Sequence, residues 1–358
     1  MGFMATLIAL AFIVFFHEMG HFLAAKRVGV FVYEFAVGFG PKAFSFIKNK
    51  TRYSLRILPL GGFVKLAGMD EPGEGEEDVS SDQKYPSKSV FDRMIIIVAG
   101  SAMNIILGFI IYLLIAFFVG MASSSAIVEQ VLKGSPASQA GLQVRDVLVS
   151  INQKPIKSVD RDVIPIIKES AGKSLAIGVL RDGKSLHVDV VPKLNQEQVA
   201  QIGVRFSVSQ SLENRFNPIA SIKDASQKTV FSMLQIFKTF EMLFQKKASI
   251  KDLAGPVGIF QVASEQFSQN LLAFLFLMAF ISISLGVINL FPFPILDGGH
   301  LFFLIIEAIF RKPIPKKVET IFNYAGFAAL ILLSVFVLFN DVINWQERSE
   351  LIRQMFSK

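Results

Sequence analysis

The chain contains no cysteine, which excludes disulfides, thiolate metal ligands and a cysteine nucleophile. Charge is scarce: 18% of residues are Asp, Glu, Lys or Arg, against about 25% in soluble globular proteins. Histidine is scarcer still, with four in 358 residues. No basic segment precedes the first apolar run at Phe3, and a cleavable secretory leader requires one. The net charge of +7 does not call for a nucleic-acid partner, because basic residues flanking membrane spans produce such a bias.

Apolar residues fill the space instead. They make up 52% of the chain, and the mean hydropathy is +0.50. They gather in runs at Phe3–Phe16, Met94–Met121, Leu271–Phe291 and Ile321–Phe339. Crossing the hydrocarbon core takes about 20 apolar residues in a helix. The last three runs reach that length directly; the first does so only if the helix continues through His17, Glu18 and His21 to Ala25. Such side chains are costly against lipid, so they are expected to face protein or a wet cavity. Lys26 and Arg27 follow the span and mark that end as cytoplasmic, which puts both termini outside after four spans.

Between the first two spans, Tyr53–Leu60, Gly61-Gly62 and Phe63–Leu66 read as a hairpin turning at the glycine pair. Gly68–Lys88, acidic and rich in Gly, Pro and Ser, reads as a mobile loop. From Ser123 to Phe206 the chain changes character. Ala126–Leu132 is a short strand, Leu175–Leu180 and Ser185–Val191 form a hairpin across Arg181-Asp182-Gly183, and Ile164–Ser170 is a helix. The run Gly134-Ser135-Pro136-Ala137, Ala140-Gly141-Leu142, Asp146 to Asn152 resembles a PDZ domain of the bacterial protease type. That resemblance implies a groove for extended peptides ending in a free carboxylate, with Gln201, Ile202, Gly203 and Val204 as its carboxylate loop. The plain alternative is a spacer domain without a ligand. Asn217–Phe244 reads as an amphipathic helix, with Val230, Phe231, Leu234, Phe237 and Leu243 near helical spacing; it either lies on the membrane surface or packs on the spans, packing being the safer reading. Ala254-Gly255-Pro256-Val257-Gly258 breaks the chain before the third span.

The expected fold is thus an α-helical membrane protein of about four transmembrane helices, with an inserted α+β PDZ domain and a membrane-associated β-hairpin. Its parts are a first membrane half (1–122), the PDZ domain (123–207), an amphipathic connector (208–256) and a second membrane half (257–358).

Chemistry concentrates in two places. His17-Glu18-Met19-Gly20-His21 is H-E-x-x-H; on a helix, residues four apart share a face, so both imidazoles can reach one ion, with Glu18 beside it to take a proton from water. Zinc lowers the pKa of a water it binds to about 7. A catalytic zinc takes three protein ligands and keeps a fourth position open. The third ligand is sought at Asn289–His300, where Pro292 and Pro294 break the apolar helix. Irregular backbone at membrane depth must line protein or a cavity. Asp297 and His300 are three apart, so spacing alone does not choose between them.

H-E-x-x-H in the first span together with N-x-x-P-x-P-x-L-D-G at Asn289–Gly298 resembles the site-2 protease family of intramembrane zinc metalloproteases, in particular its regulator of sigma-E protease type. The likeness extends over nearly the whole chain, through Gly38-Phe39-Gly40-Pro41, Gly61-Gly62-Phe63-Val64 and Arg93–Asn104, with Ser101 where many members carry proline and one PDZ domain where that type often has two. It implies that Asp297 is the third zinc ligand beside His17 and His21, and that Glu18 is the general base. It implies that Asn289 holds the substrate backbone or the oxyanion, and that Gly61, Gly62, Phe63 and Val64 belong to a strand that pairs with unwound substrate. His300 would stand behind the metal ligands, and His187 would be a surface residue. The implied substrates are single-span membrane proteins already trimmed outside, such as anti-sigma factors, or leftover signal peptides. The implied setting is the bacterial inner membrane, among lipid, with the PDZ domain on the extracytoplasmic side. A membrane-anchored PDZ scaffold with a structural zinc explains Glu18 poorly, and a metal or solute transporter explains neither Glu18 nor the PDZ domain.

Overall fold

The computed structural model describes residues 2–69, 79–123, 126–156, 159–195, 199–206, 209–210, 215–245 and 255–343. The chain divides into two compact units, Met1–Leu114 with Ala225–Lys358, and Ile115–Asp224.

The larger unit is built on apolar helices. α1 (Gly2–Val28) runs unbroken through the H-E-x-x-H segment. It ends because Gly29 takes a φ of 79°, which lets Val30 N–H bond Ala25 O (2.9 Å) and Gly29 N–H bond Lys26 O (3.3 Å), closing the last carbonyls in a Schellman arrangement. α2 (Val90–Phe118) is the second long apolar helix. The others of spanning length are Leu271–Asn289 and Lys317–Phe339, so among the described residues four helices are long and apolar enough to cross a bilayer.

Between α1 and α2 lie β1 (Val32–Lys48) and β2 (Thr51–Leu66), paired antiparallel. Both are long enough to fold back on themselves. Glu34, Phe35, Ala36 and Val37 pair with Lys65, Val64, Phe63 and Gly62 on one side, and in ascending order with Arg52, Tyr53, Ser54 and Leu55 on the other; Phe44–Lys48 then pair with Leu55–Thr51. The turn is not at Gly61-Gly62, as the sequence suggested, but at Asn49-Lys50. Both residues have positive φ, 50° and 62°, and Lys48 pairs with Thr51 across them, the geometry of a two-residue type I′ loop. Gly61 and Gly62 lie inside β2. Part of the expected mobile loop, 70–78, falls outside the described residues. Its later part is ordered: Ser81–Gln83 and Tyr85–Ser87 are 3-10 turns. Phe31 N–H bonds Gln83 O (2.9 Å), Tyr85 N–H bonds Ala67 O (2.7 Å), and the Tyr85 side chain is buried among Ala25, Val32, Leu66 and Ile96.

The smaller unit carries β3 (Ala122–Ser123), β4 (Val128–Val131), α3 (Pro136–Gln139), β5 (Val147–Ile151), β6 (Lys154–Pro155), α4 (Ile164–Glu169), β7 (Leu175–Arg181), β8 (Lys184–Val190), β9 (Lys193–Leu194), β10 (Ala200–Gln201), β11 (Val204–Phe206) and β12 (Ser209–Gln210). Its main sheet has the order β6-β5-β7-β8. The inward residues Leu148, Ile151, Ile177, Val179 and Val190 meet Ala137, Val163 and Ile167 from the helical side. Ser135 caps α3, its Oγ accepting from Ser138 N–H (3.2 Å). Asp146 is buried and paired with Arg181, Nε to Oδ1 at 2.6 Å. His187, on β8, is exposed as expected.

α5 (Pro218–Phe244) corrects one expectation. Val230, Phe231 and Leu234 are not its packing stripe; they are 45–59% exposed. Phe237 is half exposed but sets its ring 5.7 Å from that of Phe291, and the Leu243 side chain lies outside the described set. Ser221, Ala225, Ser232 and Ile236 are buried instead. Tyr112 and Ser232 share a hydrogen bond of 3.1 Å at that contact. In a bilayer the apolar side can face outward and small polar residues pack inward. Residues 246–254, most of the join to α6 (Pro256–Gln269), lie outside the described set. α7 (Leu271–Asn289) is the third span, α8 (Asp297–Phe310) begins after the broken segment, and α9 (Lys316–Ile343) closes the described chain. Ile13 of α1, Leu107 of α2, Ala263 of α6, and Phe274 and Met278 of α7 form a shared apolar core.

Candidate metal centre

The site is assembled from four helices. α1 supplies His17, Glu18 and His21, with the histidines one turn apart. α7 ends at Asn289, and the Leu290–Leu296 segment carries Pro292 and Pro294 before Asp297 opens the first turn of α8. The prolines end one helix, as the sequence suggested, and the break swings the Asp297 carboxylate back toward α1. Gly298 and Gly299 let this segment close on itself, since a Cβ on either would collide with backbone at Leu290–Phe293.

His17 Nε2 and His21 Nε2 are 3.2 Å apart, and Asp297 Oδ2 stands 3.3 Å from the first and 3.4 Å from the second. For donors about 2.0–2.2 Å from a tetrahedral ion, neighbouring ligands are separated by about 3.3 Å. The three atoms already have that spacing. Two neutral imidazole nitrogens and a carboxylate oxygen, each presenting a lone pair, repel one another unless a cation lies between them. The donor set, two nitrogens and one oxygen, also suits zinc with a fourth position free. Among the described residues, the group able to hold a metal comprises His17, His21 and Asp297, all partly or fully buried. His300 is not in it. Its Nδ1 lies 3.2 Å from Glu319 Oε1 on α9, so the expected place behind the metal ligands is replaced by a contact between α8 and α9.

α2 forms the wall behind the histidines, a part that sequence reasoning missed. His21 Nδ1 donates to Ile96 O (2.8 Å). Asn104 Nδ2 lies 3.5 Å from His17 Nδ1, and Ser101 Oγ lies 3.5 Å from Asp297 Oδ2. The helices approach closely because glycine meets backbone: a Cβ on Gly20 would strike Ala99 O, and one on Gly100 would strike the His21 ring. The signal was faint, because small residues in an apolar helix announce close packing but not what they pack against.

Asn289 places its carboxamide nitrogen 3.4 Å from His17 Nε2, within reach of anything bound at the metal position. Gly62 brings its backbone to Glu18: a Cβ there would lie 2.9 Å from Glu18 Cγ and 2.8 Å from Ala36 O. The strand Gly61–Val64 is braced from below. Buried Glu34 accepts from Ser54 Oγ (2.5 Å) and Arg56 (2.9 Å), Arg56 also donates to Gly40 O (2.8 Å), and its guanidinium lies 4.9 Å from the Phe63 ring centroid. Ile202, Gly203 and Val204 are not at this centre. They line a groove of about 390 Å³ in the smaller unit, between the 199–206 segment and Ile164, Ile167 and Lys168 of α4.

The model of peptidase family M50 matches residues 5–333. The regulator of sigma-W protease RasP of Bacillus subtilis is 30% identical over 413 residues, covering 94% of this chain and 97% of its own. The zinc metalloprotease RasP of Bacillus licheniformis is 32% identical, covering 92% of this chain and 96% of its own. Among solved structures, the PDZ domain of an SdrC-like protein from Listeria monocytogenes aligns with 25% of this chain and 93% of its own at 20% identity, with a TM-score of 0.22.

Proposed function

The chain belongs to peptidase family M50 and is a multi-pass membrane zinc metalloprotease, and on that premise we propose that it cleaves the transmembrane segments of single-span membrane proteins, using His17, His21 and Asp297 to hold zinc and Glu18 to move protons. The observation that carries the residue assignment is the set of three lone-pair donors at 3.2, 3.3 and 3.4 Å from one another, with Glu18 on the same helix.

Bound zinc supplies Lewis acidity to water and to the scissile carbonyl. The remaining work falls to side chains. Glu18 takes a proton from the attacking water and returns it to the leaving amine, a role worth typically 10²–10⁴-fold. Asn289 donates its carboxamide N–H to the oxygen that gains charge, or to the substrate backbone. A helical peptide bond is shielded by its own hydrogen bonds, so substrate must be drawn out before attack. We assign that task to Gly61–Val64: on its outer side the Gly62–Val64 segment is paired with no strand among the described residues, and Gly62 sets the backbone against Glu18. Such an edge binds an extended peptide by strand addition. The same sheet is read as membrane-associated because Phe44, Ile47 and Ile57 are at least 60% exposed, and exposed Ile222, Val230 and Leu234 on α5 suit lipid likewise.

Residues 123–207 are read as a PDZ domain whose Ile202–Val204 groove takes peptide carboxy termini, and it is assigned to the extracytoplasmic side of a bacterial inner membrane. By likeness to a relative named for regulating sigma-W, the substrate class proposed is membrane-bound anti-sigma factors and remnant signal peptides. The test is cleavage of a model single-span substrate by wild type and by Glu18→Gln. The variant is expected to keep zinc and to lose at least about 10²-fold in rate; equal cutting by both overturns the assignment.

A further inference from the structure

We infer that Asn104 is a positioning residue that sets the tautomer of His17, its carboxamide oxygen accepting the His17 Nδ1 proton so that Nε2 keeps a free lone pair for the metal. The inference rests on the assignment of His17 as a ligand.

His17 Nε2 is the ring atom that faces His21 Nε2 and Asp297 Oδ2. A neutral imidazole carries one N–H, so a ring that gives the Nε2 lone pair to a metal bears its proton on Nδ1. That proton needs an acceptor, because a buried donor left unpaired is costly. The group beside His17 Nδ1 is the Asn104 carboxamide, with Nδ2 at 3.5 Å. In the metal-binding tautomer this sets donor against donor. The other end of the same carboxamide is unsatisfied as well: Asn104 is 1% exposed, and its Oδ1 is buried without a hydrogen-bond partner. A half-turn about Cβ–Cγ exchanges oxygen and nitrogen, giving the orphaned oxygen a donor and the ring proton an acceptor.

His21 already shows this logic. Its Nδ1 meets Ile96 O at 2.8 Å; a carbonyl can only accept, so its proton sits on Nδ1 and Nε2 is free. Ile96 and Asn104 are both on α2, two turns apart, and each stands behind one histidine. Asn104 is fixed in turn, its backbone carbonyl accepting from Ser282 Oγ of α7 at 2.8 Å. Hydrogen-bond partners of metal-binding histidines orient the ring and raise its basicity.

The test measures zinc retained by the full-length protein in detergent under graded chelator competition. Asn104→Leu, which removes the acceptor, is expected to weaken retention by about tenfold or more, and Asn104→Ala, which adds no bulk, to do the same. Asn104→Asp, which can only accept, is expected to retain zinc as the wild type does. Ser282→Ala disturbs the same helix contact without touching the ring and is also expected to retain it. Retention unchanged in Asn104→Ala, loss in Asn104→Asp equal to that in Asn104→Leu, or equal loss in Ser282→Ala overturns the inference. His17→Ala separates the two readings: if it keeps zinc, the ligand assignment itself fails, whereas if it loses zinc and Asn104→Ala does not, only the role of Asn104 fails.

Discussion

Asp297 and His300 occupy the same first turn of α8, yet the carboxylate meets the histidine pair while the imidazole meets Glu319. Asp297→Ala is therefore expected to abolish zinc binding, and His300→Ala to leave it intact, as read by metal content of the purified proteins. Spacing alone could not separate these two residues; the likeness to a known family favoured Asp297, and the helix start explains why it reaches. Elsewhere, burial by itself raises the Asp146 carboxyl, but hydrogen bonds from Arg181 and from Gln143 N–H outweigh it and hold it below the ordinary value of 3.8. A carboxylate with a depressed folded pKa adds stability that is present above its unfolded value and is lost as the pH falls toward the folded one. The smaller unit should thus weaken below about pH 4, the ordinary range of a free carboxyl, when followed by hydrogen exchange. Arg181→Leu leaves the buried Asp146 carboxylate without its ion-pair partner and should lower the stability of the smaller unit at neutral pH, read by the same hydrogen exchange.

At the scale of elements, the sheet between α1 and α2 shows where local signals mislead. A glycine pair looks like a turn, but Gly61 and Gly62 are glycines because one has a φ of 97° and the other has Glu18 against it. Gly62→Val should lower cleavage while zinc content stays at the wild-type level, since it displaces the strand and not the ligands. The real turn was illegible because Lys50 accepts a left-handed backbone that costs a residue with a side chain about 1 kcal/mol. Lys50→Gly should return about that amount, seen as slower hydrogen exchange in β1 and β2. α5 was misread for a different reason. Its period was plain, but the period tells which residues share a face and not whether that face meets protein or lipid. The wall on α2 was hidden because Ile96 acts only through its backbone carbonyl and Gly100, Ser101 and Asn104 interrupt an apolar helix too gently to mark a site, whereas His17, Glu18 and His21 stand out at once in such surroundings.

Over the whole molecule, three spans were legible from the length of their apolar runs and the first only by carrying its helix through His17, Glu18 and His21, while the short alternating strands marked the smaller unit. On the proposed ligand set zinc would tie α1 to α8, so removing it should loosen the larger unit as a body. A ligand that binds only the folded state stabilises it by mass action, so chelation is expected to lower the thermal midpoint of wild type, with recovery on adding zinc back, and to leave Asp297→Ala unmoved. The distance along the chain between the ligands has its own consequence during biosynthesis. When the ribosome has delivered α1, two histidines are in the membrane and their carboxylate partner has not been made. On the proposed ligand set, most of the polypeptide must follow before α8 arrives to complete the trio, so a chain that stops short of α8 is expected to hold no zinc and to cut nothing.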